Sequence, residues 1–352
     1  MELMRAHSEW ANRLADERHE DLSSLYSAVL GRKNLAQEMT IPLNDLRFSA
    51  PDQETLALET RFSKGTFTNW SFGQLTRQIG APPGYLASLP ANLAADCLNA
   101  GLKSVGDDRV KVLSQDTPGE DTQTYRAFTG ESYGRIWDSE VVELAQRIVD
   151  RSGGQFFNPK EWSGKGSGLY ASDRDVFVFL INGGSIVDGG TSRDQLHRGF
   201  FLWNSETGSK TFGLDTFLFR AVCGNHQIFG GTDVRSLKIR HSKFAPGRLE
   251  SEALPILLEY SQSSALGEEE KIRKAQEFLL PAPEKTLDWF TEKGFSRSQA
   301  RGAIAYAQQE EGDCRTLWQA IQGLTRFSQT YINADIRDQL DRQAGKLMDL
   351  VG

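Results

Sequence analysis

Between Trp203 and His226 the chain sets Asn204, Glu206, Arg220, Cys223, Asn225 and His226 among Trp, Phe, Leu and Val. Unpaired polar groups are costly in such a setting, so these side chains need partners or a purpose. Three kinds of chemistry are open to them. Glu206, His226 and His241, with His197 as a further donor, offer the nitrogen and oxygen ligands of a divalent metal. Asp173 and Asp175 alternate at the entry to an apolar strand, so their carboxylates share a face, and with Glu206 and His226 they would serve a metal-dependent nuclease. Cys223 beside His226 offers a thiol with a base. No HxxxH, HxH or CxxC spacing supports any of these. The reading the residue types support best is a structural polar network of Asn204, Glu206, Arg220, Asn225 and His226 beneath a surface, with no resident cofactor.

Two further groupings carry charge and aromatic rings. Arg126 and the segment Ser132-Tyr133-Gly134-Arg135-Ile136-Trp137 put two guanidiniums beside two aromatics, the physics of phosphate pairing and base stacking. Downstream, Arg235, Lys238, Arg240, His241, Lys243 and Arg248 place six basic or potentially basic residues within fourteen, with Asp233 the acidic residue nearby. Alternation along Leu237-Lys238-Ile239-Arg240 would put Lys238 and Arg240 on one strand face, where a phosphate-tracking ribbon or a charge-protected edge strand would hold them. Expected nucleic-acid contacts are therefore Arg126, Arg135, Lys238, Arg240 and Lys243 to phosphate, and Tyr133 or Trp137 to bases.

Several elements must position these groups. Residues 1–36 read as an amphipathic helical lead-in, with Trp10, Leu14, Leu22, Leu25, Tyr26 and Leu30 at helical spacing. Alternation from Met39 to Phe67 predicts strands. Ser71 followed by Gln74 has the spacing of a capping box and predicts a helix that Gly80-Ala81-Pro82-Pro83 stops. The stretch from Gln74 through Gly80 to Leu86 also has helix-turn-helix spacing, but its second helix offers Tyr85 and Ser88 and no base-reading Arg, Lys, Asn or Gln, so a helical corner against a sheet is expected. Short helices are expected at 85–89 and 92–102, strands at 110–113, 123–128 and 176–181, a helix at 138–149, and a hairpin of central strands from Phe200 to Val222. After Arg248 helical periodicity takes over, with breaks at Pro281-Ala282-Pro283, Gly294 and Gly312 and a cap at Ser296 with Gln299. The expectation is an α+β fold with a mixed or antiparallel sheet, arranged as a lead-in (1–36), a core domain (37–248) and a helical carboxy-terminal region (249–352).

Composition narrows the classes. A chain of 352 residues can bury a large core, and its 25% charged and 39% hydrophobic residues are ordinary for a globular protein. A formal charge of −7 excludes a protein that coats nucleic acid with its whole surface, and leaves a local basic groove open. Cys97, Cys223 and Cys314 are far apart and odd in number, as reduced thiols are. With no signal core near Met1 and no run of about 18 apolar residues, a cytoplasmic protein without a membrane partner is expected.

Taken together, Trp10-Ala11-Asn12-Arg13 with Ala15-Asp16-Glu17-Arg18, Trp70-Ser71-Phe72 with Gly80-Ala81-Pro82, Tyr133-Gly134-Arg135-Ile136, Ser172-Asp173-Arg174-Asp175, Trp203-Asn204-Ser205-Glu206, Val222-Cys223-Gly224-Asn225-His226 and Ala344-Gly345-Lys346-Leu347 resemble the phage- and plasmid-associated family called domain of unknown function 932. Leu14 and His19 depart from its pattern, where Pro and Phe are expected. The resemblance implies a protein of mobile genetic elements, encoded among replication, recombination and antirestriction genes in a bacterial host, with no established reaction. It also implies a role in handling single-stranded DNA, similar to strand-annealing recombinases that line a basic groove in a ring oligomer. A protein-binding inhibitor of a host defence factor is the alternative from another class, with the acidic surface and helical tail as its features.

Overall fold

The computed structural model of the chain describes residues 14–117, 119–158, 168–188, 195–222, 225–229, 235–263, 266–328, 330–331, 340 and 343–352. The side chains of 15, 185–188, 195, 219–222, 225–229 and 266 lie outside that description.

Helix α1 (Leu22–Leu35) starts at Asp21, whose carboxylate accepts the Ser24 amide at 2.8 Å, and its last turn carries Arg32 and Lys33 at the negative end of the helix dipole. Leu25 and Val29, one turn apart, are fully buried, so this helix docks on the body; of the other residues expected on the same face, Leu14 is exposed and Trp10 lies outside the described residues. It passes straight into strand β1 (Ala36–Pro42), three residues earlier than the sequence pattern indicates. With β2 (Arg47–Ser49), β3 (Ala57–Glu59), β4 (Lys64–Phe67), β5 (Arg109–Asp116) and β6 (Gln123–Gly130) it forms a six-stranded sheet in the order β1-β5-β6-β4-β3-β2, mixed because β4 runs parallel to β6.

Helices α2 (Asn69–Gln78), α3 (Pro83–Leu86) and α4 (Ala91–Leu102) cover this sheet through Leu75, Leu86, Ala95 and Leu98. The cap of α2 is Thr68, with Ser71 at the third helical position, rather than Ser71 with Gln74. Thr68 has the extended backbone a cap needs, and Gln74 is occupied elsewhere: its amide accepts from Phe128 N at 3.0 Å and donates to Thr207 O at 2.9 Å. Because α3 is a single turn and α2 is bonded to the sheet, the helical corner is the observed arrangement.

A second sheet is antiparallel throughout. Its path is β12 (Asn225–Phe229), β11 (Phe212–Val222), β10 (Gln195–Asn204), β9 (Val176–Asp188) and β7 (Phe156–Phe157), with β8 (Leu169–Ala171) beside β9 and β13 (Ser236–Ile239) beside β11. The fold is α+β with one mixed and one antiparallel sheet. Val176, Val178, Leu180, Phe200, Leu202, Phe212 and Leu214 face α5 (Asp138–Arg151) and α1, while the alternate residues Phe177, Phe179, Phe201, Trp203 and Phe217 form an aromatic cluster on the other face. Both faces are buried, which is why β9 reads as an unbroken apolar run. Gly213 permits this packing: a Cβ there would lie 1.8 Å from the indole of Trp203 on the neighbouring strand.

After β13 the chain continues through the short helix α6 (Ala245–Arg248), a π-helical turn (Leu249–Ala253) and α7 (Leu254–Gln262), whose Leu249, Ala253, Leu254 and Leu257 join the same core as α5. The helices α8 (Leu266–Glu277), α9 (Pro283–Glu292), α10 (Arg297–Glu311) and α11 (Leu317–Ser328) build a separate core around Trp289, Phe290, Phe295 and Trp318, to which Leu196 and Leu218 of the second sheet contribute. Gly294 and Gly312 turn with positive φ, and Ser296 with Gln299 caps α10, as expected. Among the described residues no helix is long and apolar enough to cross a membrane.

Candidate functional site

The motifs scattered along the sequence converge where the two sheets meet. Strand β6 delivers Arg126, the connection from β6 to α5 delivers Tyr133 through Asp138, the β8–β9 turn delivers Ser172 to Asp175, and the β10–β11 turn delivers Asn204 to Gly208. Arg126, Arg135, Asp138, Asn204 and Glu206 are each no more than 6% exposed. The Arg126 guanidinium meets Glu206 Oε1 at 2.7 Å and donates to Asp173 O at 3.4 Å. Arg135 donates to Glu38 Oε2 on β1 at 2.6 Å and to the Glu206 carbonyl. Glu206 Oε2 accepts the Asp138 amide at 3.2 Å, at the positive end of α5.

Asn204 completes the junction, donating to Ile136 O and to Asp138 Oδ1, both at 2.8 Å. Burial holds the Asp138 carboxyl well above the usual carboxylate range, and the neighbouring Glu206 pushes it further up; Arg32, the Asn204 bond and Arg126 oppose both. Around this centre, Thr207 O accepts from Trp70 Nε1 at 3.0 Å and from Gln74, Ser205 Oγ donates to Arg174 O at 2.6 Å, and Arg32 donates to Ser172 O. Helix α2 of the first sheet is thereby bonded to a hairpin of the second.

This geometry corrects two expectations. Arg126 and Arg135 do not present guanidiniums to a phosphate, because both are buried and committed to Glu206 and Glu38. The aromatics between them are occupied as well. Tyr133 donates its hydroxyl to Ser205 O at 3.0 Å and stacks on the His241 ring at 4.9 Å, while Trp137 lies between the Lys33 and Arg135 cations at 5.3 and 5.7 Å. Both rings are half-buried parts of the junction and not open platforms.

Asn204 and Glu206 belong to the polar network, whereas the side chains of Arg220, Asn225 and His226 lie outside the described residues, as Cys223 does entirely. Of the ligands for the metal alternative, Asp175 is held by Ser172 Oγ at 2.7 Å and by Lys210, and Glu206 by Arg126. Among the described residues no group of three or more His, Cys, Asp or Glu side chains comes together. Sequence reasoning missed Glu38, Arg32 and Asp138. Only Asp138 left a signal there, as the first residue of the helix expected at 138–149.

The junction also holds a surface in place. Tyr133 pairs with Ser242 as an isolated antiparallel bridge, Gly134 N donates to His241 O at 3.4 Å, and His241 Nδ1 donates back to Gly134 O at 3.2 Å. Gly134 leaves room for this: a Cβ there would sit 1.9 Å from Ser242 O. Burial, reinforced by the Arg135 charge, lowers His241 from its ordinary 6.5 to about 4, so the ring is neutral and adds no charge. Of the other basic residues in this stretch, Arg235 pairs with Glu259 at 2.5 Å and Arg248 with Glu252 at 2.6 Å.

Lys238 projects to the exposed side of β13 and Arg240, just past the strand's end, is exposed too, while Leu237 and Ile239 face the core. Lys243 follows, exposed, with its ammonium 4.9 Å from the ring of Phe244, itself 66% exposed. Among the described residues neither Arg240 nor Lys243 is in an ion pair.

Fold and site together define an α+β protein whose two sheets are locked by a buried arginine–carboxylate junction and which shows a narrow basic edge beside it. The family model of the domain of unknown function (DUF932) matches residues 127–347, and the chain belongs to that family. The match takes in the junction's residues from Tyr133 to Gly208 and leaves out Arg126, the Trp70 and Gln74 ties and the residues of α1 and β1. No curated protein and no solved structure matches the chain.

Proposed function

We propose that this chain is a nucleic-acid-binding accessory protein of phages and plasmids, acting in the cytoplasm of the bacterial host as a homo-oligomer, and that its interface is the β13–α6 edge. The observation that carries the reading is the geometry of Lys238, Arg240 and Lys243. Lys238 stands on the exposed face of β13 and Arg240 one residue past its end, so two exposed cations follow one another two residues apart, about 6.6 Å along an extended backbone, a spacing suited to successive phosphates of an extended strand. Arg235 and Arg248 are neutralised by Glu259 and Glu252 and His241 is uncharged, so Arg240 and Lys243, in no ion pair among the described residues, supply the positive potential of this stretch, with Lys238 beside them. A small basic edge supports single-strand handling better than duplex wrapping, which draws on many more phosphate contacts.

Affinity for a fluorescein-labelled oligonucleotide, measured by anisotropy from 20 to 300 mM salt with mass photometry beside it, tests the proposal. Binding that weakens with salt and falls by roughly tenfold or more in Lys238→Ala plus Arg240→Ala is the expected result, since contacts to charged groups are each worth about 1.5–3 kcal/mol. No binding by the wild type at the lowest salt would overturn it.

A further inference from the structure

We infer that Trp70, Arg77 and Arg174 form a nucleotide site, in which a base lies between the Arg174 guanidinium and the Trp70 indole and its phosphate pairs with Arg77. The site shares the ligand class of the edge proposed above but none of its residues. Trp70 and Arg77 stand seven residues apart on one face of α2, and Arg174 comes from the β8–β9 turn. Both guanidiniums are exposed, and among the described residues neither is in an ion pair. Their charge is therefore not cancelled at its source, as that of Arg147, Arg235 and Arg248 is by Glu250, Glu259 and Glu252.

Each part is fixed at its base and uncommitted at its tip. The half-buried Trp70 ring is oriented by its Nε1, which donates to Thr207 O at 3.0 Å. Four hydrogen bonds hold the backbone of Arg174. Its carbonyl accepts from Ser205 Oγ at 2.6 Å, Thr207 Oγ1 at 3.1 Å and Ser209 Oγ at 3.3 Å, and its amide donates to Ser172 Oγ at 3.1 Å. Arg77 lies flat over Gly73, with three guanidinium atoms 3.7, 3.8 and 3.9 Å from where a Cβ would stand, and this brings its charge back one turn towards Trp70. Such preorganisation lowers the ordering cost of binding.

The distance between cation and ring indicates what fits. Arg198 sits on the Tyr260 ring at 4.0 Å, a closed contact, whereas Arg174 stands 6.0 Å from the centre of the Trp70 ring. A planar base in contact with both needs two spacings of about 3.5–4.0 Å, so a movement of the arginine side chain by about 1–2 Å admits it. Guanidinium planes and indoles both stack on bases. Asp173, the exposed carboxylate next to Arg174 in the chain, repels a phosphate there and leaves it to Arg77. Bases within a duplex are stacked on one another and cannot enter the gap. The ligand is thus an unpaired base with its phosphate, carried by a single strand or by a free nucleotide.

The test measures binding of oligothymidylate, a duplex of the same length and thymidine monophosphate to the full chain, by anisotropy and tryptophan fluorescence. The variants are Arg77→Ala plus Arg174→Ala, Arg174→Lys, Trp70→Phe and the edge pair Lys238→Ala plus Arg240→Ala. Single-strand affinity should fall roughly tenfold or more in the double arginine variant, and roughly fivefold or more in Arg174→Lys, which keeps the charge and loses the plane. Oligothymidylate should quench wild-type fluorescence, and Trp70→Phe should lose that quenching. A response to thymidine monophosphate as well assigns the site to free nucleotides; a response to the oligonucleotide alone assigns it to a strand. Both arginines are exposed, so their variants should melt at the wild-type temperature. Wild-type single-strand affinity in the double arginine variant, with the edge pair weakened, overturns the site and leaves the edge standing; the reverse result supports the site and removes the edge. Equal losses on single strand and duplex would show a charge contact alone and overturn the base sandwich. If the wild type binds none of the three ligands, site and edge both fall.

Discussion

Arg126 and Glu206 show how burial changes the meaning of a charged residue. An arginine set near aromatic residues invites a phosphate, yet at 3% exposure its guanidinium has no access to one, and its partner at 2.7 Å is a carboxylate at 1% exposure. Removing one member of such a pair leaves an uncompensated buried charge, so Arg126→Ala should destabilise the fold by about 3–5 kcal/mol in urea melts. Glu206→Gln added to Arg126→Ala should recover part of that loss; a double mutant that is additive would show that the two do not act as a pair. His241 supplies a pH signature. Its folded-state value of about 4 lies below the ordinary 6.5, so the unfolded chain takes up the proton first and stability falls as pH drops from about 6.5 towards 4. The full contribution is on the order of 3 kcal/mol. His241→Asn keeps a donor for Gly134 O and cannot titrate, so thermal melts from pH 7 to 4.5 should lose that part of the acid slope. Asp138 acts with the opposite sign, because a carboxyl held above its usual range loses stability as pH rises, and the comparison of variant with wild type separates the two.

At the scale of elements, what matters is which loops are brought together. The β8–β9 and β10–β11 turns and the connection into α5 have no neighbours in common along the sequence, but each offers backbone carbonyls that another segment's side chain needs: Trp70 and Gln74 to Thr207, Ser205 to Arg174, Asn204 to Ile136. A connection of this kind satisfies buried polar groups and fixes the angle between two sheets in one step. The same connection ends at Gly134, against which the segment after β13 is laid. Gly134→Ala would place a Cβ 1.9 Å from the Ser242 carbonyl, and the backbone must then part. The expected outcome is a loss of about 1–3 kcal/mol in stability, as overpacking typically costs, together with weaker oligonucleotide binding although no basic residue has been altered. Unchanged binding at reduced stability would show that the basic edge does not depend on this contact.

The whole molecule is an acidic body with a small basic margin. With a net charge of −7, long-range attraction to nucleic acid is absent, and binding must come from close contacts at the edge. Three phosphate contacts on a single strand predict a slope of about −2 for log affinity against log salt per protomer. A slope of −5 or steeper would require a larger surface than Lys238, Arg240 and Lys243 provide, and would point to other residues. Lys238→Ala plus Arg240→Ala should flatten the slope by about 1.4 while leaving the melting temperature in place, because both side chains are exposed.

Local patterning by itself determined most of the elements. Helical and alternating periods placed α5, β11 and α7 to within a few residues and the start of β9, because a side chain's face follows from the backbone repeat alone, whereas the lead-in expected through residue 36 has a 3-10 turn at Ala15–Glu17 and a bridge at Arg18 before α1 begins at Leu22. It also determined that Lys238 and Arg240 share a face, since strand alternation needs no tertiary information. The cap of α2 was misread because Thr68 and Ser71 are as good a pair as Ser71 and Gln74 until it is known that Gln74 bonds across to Phe128 and Thr207. Only the tertiary structure decided which charges are free. Arg126 and Arg240 are the same residue type, but one, within β6, is closed in by the meeting of two sheets and the other stands exposed just past the end of β13. Burial and pairing depend on segments distant in sequence, and a spacing rule cannot see them. For that reason the motif from Trp203 to Glu206 has the composition of an active site and the geometry of a joint.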